Sequence, residues 1–119
     1  MPFSPTVAAL HDILHHIDLA MRFGTGMNRT AFVEDERTVY AIIRCLEIIS
    51  EASRRLPDEL KARHPSIEWK KMAGAGNVYR HDYEDVAAQY VWDTLQLALP
   101  PLRVVIEQEL AAHDYCHPF

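Results

Sequence analysis

The chain has 119 residues, 49% of them apolar, enough for one compact domain with its own core and too short for two. Its formal charge of −5 excludes a protein that coats nucleic acid by bulk electrostatics, while a local basic cleft stays compatible with an acidic whole. No run of about eighteen apolar residues exists to span a membrane, and "MPFSPTVAAL" lacks the basic start and apolar stretch of a secretory signal.

In chain order, "SPTVAALHDILHHIDLAMRF" opens with Ser4 as N-cap and Pro5 at the first helical position. Leu10, Leu14, Ile17 and Met21 recur at helical spacing, widened by Ile13 and Ala20, which predicts an amphipathic helix. "GTGMNRTAFVEDE" reads as a loop, with Asp35 capping the next helix. That second helix, "RTVYAIIRCLEIISEASRRL", places Val39, Ile42, Ile43, Leu46, Ile49 and Leu56 on one face. "PDELKARHP" reads as a short helical turn, after which Ser66 is the expected cap of a third helix through "IEWKKMAGAGNVYRH".

The last segment carries Val91, Leu95, Leu99, Leu102, Ile106 and Leu110 at helical spacing, and Pro100 and Pro101 predict a kink or break near residue 99. No stretch alternates like a strand. The expected fold is all-α, an antiparallel bundle of four to five helices in one domain over residues 1–119, with 113–119 as a flexible tail. Two cysteines, Cys45 in an apolar helical pattern and Cys116 in the tail, fit a reducing compartment, so a cytoplasmic location is expected.

The stretch "GNVYRHDYEDV" concentrates chemistry. Wound as a helix, Trp69, Met72, Gly76, Tyr79 and Tyr83 share one seam, bordered by Arg80, with Asn77 and His81 one turn apart beyond it. Gly74 and Gly76 each cost a helix interior roughly 1 kcal/mol against alanine, which predicts a compensating close approach by a helix or a ligand. The competing reading is a polar helix end, with His81 interacting with the last carbonyls and the tyrosines packed in the core.

Elsewhere, His11 and His15 have a spacing that can hold zinc, beside Asp12 and His16, but no further ligands are evident and a solvated face is favoured. Cys116 and His117 fit a disordered end better than a metal site, so no metal is expected. Arg44 with Glu47, and Glu51 with Arg55, read as helix-surface pairs.

Taken together, "RCLEIISEASRRLP", "HPSIEWKKMAGAGNVYRHDYEDV" and "VWDTLQLALPPLRVVIEQEL" resemble, in order and spacing, the HepT-like toxin family of the HEPN superfamily, over roughly residues 8 to 112. The resemblance implies an all-α homodimer, a metal-independent, cofactor-free endoribonuclease toxin cutting single-stranded RNA at a cleft between subunits, and a minimal nucleotidyltransferase antitoxin as partner. The family signature, R-x-x-x-x-H-x-Y with a polar residue after the arginine, falls on His81, Tyr83 and Asn77, with Gly76 in the arginine slot.

That departure leaves an alternative: a non-catalytic interaction module that binds RNA, nucleotide or a nucleotidyltransferase. Arg80 lies one turn after Gly76, and helical side chains lean toward the N-terminus, so its guanidinium is the expected substitute. The resemblance also implies adenylylation of Tyr83 by the partner and a cleft lined by Glu51, Arg44, Tyr79 and Gly76.

Overall fold

Ser4 accepts a hydrogen bond from the Val7 amide (3.1 Å), and Pro5 follows it, so α1 (Pro5–Phe23) starts where its sequence predicts. The computed structural model describes residues 4–75 and 84–115, and among these every regular element is helical. After α1 come α2 (Arg29–Glu34), α3 (Glu36–Arg54), α4 (Asp58–Ala62), α5 (Trp69–Gly74), α6 (Glu84–Asp93) and α7 (Leu99–Tyr115). No described helix is long and apolar enough to cross a membrane.

The core is built by α1, α3 and α7, with α1 packed against both of the others. Leu10, Ile13 and Ile17 of α1, Ile42, Leu46 and Ile49 of α3, and Leu99, Leu102 and Ile106 of α7 are fully buried. Each such side chain contributes about 1.5–3 kcal/mol on leaving water. The predicted apolar positions of α3 and of the last segment are all buried, while Leu14 and Met21 of α1 sit half-buried at the core edge. Arg103 bonds Asp18 (2.6 and 3.3 Å) between α7 and α1, and Arg29 bonds Asp93 (2.6 Å) between α2 and α6.

Three elements differ from expectation. The segment read as a loop contains α2: Asn28 caps it through the Ala31 amide (2.8 Å), and Phe32 is drawn into the core against Trp92, ring centroids 5.3 Å apart. Ser66 caps nothing, because α5 starts at Trp69 after Glu68, without a side-chain cap. The Trp69 indole donates to the Lys61 and His64 carbonyls (both 3.1 Å), which holds residues 63–68 in turns between α4 and the helix.

The expected break near residue 99 is instead a widened π turn, Thr94–Ala98, joining α6 to α7. Pro100 and Pro101 have no N–H for the Gln96 and Leu97 carbonyls, and the Pro100 ring would strike the former in a straight helix. Widening relieves this: the Leu99 amide reaches back to the Thr94 carbonyl, and the Thr94 hydroxyl donates to Tyr90 (2.9 Å). α7 runs through Tyr115, into the segment read as a tail, and residues 116–119 lie outside the described ones.

Candidate functional site

The described chain stops at Ala75 and resumes at Glu84, so Gly76, Asn77, Tyr79, Arg80, His81 and Tyr83 lie outside the described residues. The structure defines what precedes them. α5 is a short helix of six residues, too short to be stable alone, and it is fastened at both ends.

At its C-terminus the Ala73 carbonyl accepts from the Ser50 hydroxyl and from Arg54 Nη2 (2.7 Å), both on α3. A second bond joins Arg54 Nη2 to the Ser50 oxygen (3.3 Å), and Ser53 donates to the Ser50 carbonyl (2.8 Å). Ser50 and Ser53 are buried, and these bonds satisfy them inside an otherwise apolar face of α3. A cation beside the last carbonyls of a helix is favoured by the helix dipole as well as by the hydrogen bond.

At the other end the anchor is a carboxylate. Glu109 of α7 is 6% exposed and accepts from Arg63 at both oxygens (3.2 and 2.8 Å) and from the His64 ring (2.6 Å). The Arg63 hydrogen bonds, against the opposing cost of burial, hold the Glu109 carboxyl below its usual range, with His64 contributing in the same direction. Arg63 is correspondingly held more basic, first by its bonds to Glu109. His113 stands one turn away on α7, 3.8 Å from the same carboxylate.

Sequence reasoning did not single out Glu109. The available signal was a carboxylate on the border of an apolar helical stripe, between Val105, Ile106 and Leu110.

Between these anchors Met72 is buried and Trp69 half-buried against the core. Among the described residues nothing approaches Gly74 closely: a Cβ there would meet no described atom within 4 Å. A groove of about 490 Å³ runs between residues 66–75 and the π turn, lined among others by Ser66, Lys71, Ala75, Tyr90, Thr94 and Leu97. It therefore reaches the residue at which the described chain stops.

Arg44 and Glu51 are exposed on α3. Arg44 pairs with Glu47 (3.3 Å), and Glu51 lies 3.8 Å from Arg55, which also bonds Asp12 of α1 (3.1 Å). His11 and His15 are exposed, and the His16 ring bonds the Asp12 carbonyl (2.7 Å). No group of three or more His, Cys, Asp or Glu able to hold a metal occurs among the described residues. Burial raises the Cys45 thiol above its usual range, away from thiolate reactivity.

The family model described as "Ribonuclease HepT-like" matches residues 13–109. A "Putative RNase" of Methanocaldococcus jannaschii is 32% identical over 108 residues, 91% of this chain and 93% of that protein. A "Probable ribonuclease HepT" of Thermococcus cleftensis is 35% identical over 99 residues, 83% of this chain and 90% of that protein. No solved structure matches the chain significantly.

Proposed function

The chain belongs to the HepT-like ribonuclease family, and from that premise we propose that it is a toxin-type, metal-independent endoribonuclease of single-stranded RNA, centred on His81. The observation that carries this reading is the placement of Asn77, His81 and Tyr83, at the family's spacing, inside the matched residues 13–109. The anchoring of α5 at Ala73, and of the turn before it at His64, supports it, because the chain ahead of these residues is then fixed.

In the proposed reaction the ribose 2'-hydroxyl gives up its proton as its oxygen attacks the adjacent phosphorus, the bond to the 5'-oxygen breaks to leave a cyclic phosphate, and the leaving oxygen takes a proton. His81 exchanges protons near neutral pH, as imidazole can. Arg80, the proposed stand-in for the arginine absent at position 76, supplies donors to the charge that spreads over the phosphorane oxygens, and Asn77 orients a phosphate oxygen or the imidazole. Two copies of the chain place two such sets on one cleft. Single-stranded RNA suits that cleft because its unstacked backbone can present the 2'-hydroxyl for in-line attack. A minimal nucleotidyltransferase is the proposed antitoxin, silencing the site by adenylylating Tyr83, whose added charge would repel RNA.

Gly76, in the slot of the family's arginine, favours a second reading, a binding module without catalysis. One experiment separates the two. The chain is expressed alone in bacteria and then assayed purified on single-stranded RNA with chelator present. Cleavage and growth arrest lost in His81→Ala support the enzyme; normal growth and intact RNA with the wild-type chain support the module. Intact-mass analysis after co-expression with a nucleotidyltransferase tests Tyr83: an adenylyl adduct absent from Tyr83→Phe is expected, and an unmodified wild-type mass refutes that part.

A further inference from the structure

Arg54 differs from Arg44 and Arg55. Arg44 is paired with Glu47, and Arg55 with Asp12 and Glu51. Among the described residues the bonds of Arg54 go to the Ala73 carbonyl and the Ser50 hydroxyl, both through Nη2, and none goes to a carboxylate. The side chain is exposed. A helix C-terminus carries only about half an elementary charge, so among the described residues the guanidinium is held in place there without being neutralised.

Gly74 follows the carbonyl that Arg54 grips, and among the described residues no atom lies within 4 Å of where a Cβ there would stand. Lys70, one turn earlier and on the same face as Gly74, is exposed as well. A fixed planar donor, an open approach and a second cation one turn away suit a phosphodiester, because a guanidinium can bond two phosphate oxygens while an ammonium adds charge. We infer that Arg54 contacts a phosphate of bound RNA beside the reaction centre, and that Gly74 keeps the approach to it clear. This rests on the ribonuclease reading above and adds to it a contact supplied by α3.

The test is binding of a labelled single-stranded RNA oligonucleotide to the full chain carrying His81→Ala, measured across a salt series. Adding Arg54→Gln lowers the slope of log affinity against log salt by about 0.7, the share of one single-strand phosphate contact. Adding Gly74→Asp instead weakens binding severalfold with Arg54 intact, by setting a carboxylate in the approach. Melting curves accompany both variants. A purely structural Arg54 lowers the melting temperature and leaves the salt slope unchanged, which overturns the inference while the ribonuclease reading stands. If Arg54→Gln does not fold, Gly74→Asp decides, since no described atom lies within 4 Å of its added Cβ; unchanged binding there also overturns the inference. No RNA binding by the His81→Ala chain, together with no cleavage by the wild type, overturns both readings.

Discussion

Replacing Glu109 with glutamine isolates the charge of the α7 anchor while keeping its shape. The carboxylate accepts three charge-assisted bonds, two from Arg63 and one from His64, and is almost wholly buried. Glutamine keeps one oxygen for Arg63 but turns an N–H₂ toward the remaining donors. Arg63 is half-exposed and regains water, so its loss is small; the cost centres on the less exposed His64 side. The net effect approximates one lost charge-assisted bond, about 2 kcal/mol, or a melting temperature lower by about 8 °C for a domain of this size.

The pH dependence has a definite sign. Glu109 is held below its unfolded value, so its contribution is fully present above that value, near pH 4.3 for a free glutamate, and is lost as pH falls through the lower folded value. Thermal unfolding followed by circular dichroism should show the full difference between wild type and Glu109→Gln at pH 7. The gap should narrow steadily below about pH 4. A gap within about 1 °C at pH 7, or one of equal size at pH 3, would refute the reasoning.

Other substitutions probe the packing around the site. Gly24→Ala should destabilise by about 1 kcal/mol, because the new Cβ would stand 2.8 Å from the Leu95 Cδ2 where α1 meets the π turn; unchanged urea unfolding would count against this. Gly74→Ala should stabilise by about 0.5 kcal/mol, since no described atom obstructs the methyl and alanine is the better helix former; a lower urea midpoint would show a constraint there. Ser50→Ala should cost about 1 kcal/mol and raise amide exchange over residues 69–75, by freeing the Ala73 carbonyl from one donor; exchange identical to wild type would refute the anchoring of α5 by α3.

Much of the bundle was readable from periodicity alone. The stripe Val39, Ile42, Ile43, Leu46, Ile49, Leu56 and the stripe Val91, Leu95, Leu99, Leu102, Ile106, Leu110 are buried as their spacing requires. The caps at Ser4 and Asp35 followed from residue type. These features are local: a helix presents every third or fourth residue to one side whatever it packs against, and a cap needs only an amide three residues ahead. The motif around His81 was likewise legible as a pattern, because spacing along one chain carries it.

Tertiary structure decided the rest. α2 exists because Phe32 finds Trp92, a contact between residues sixty positions apart. α5 begins at Trp69 because its indole is held by the Lys61 and His64 carbonyls rather than because Ser66 can cap it. Two prolines widen a helix without ending it, since α6 and α7 both bury core residues on either side of the turn. Arg54 and Glu109 look like surface charges until α5 and the Arg63–His64 turn fold against them. A charged side chain takes its role from the partner that replaces water around it, and that partner is chosen by the packing of distant segments rather than by neighbours in sequence.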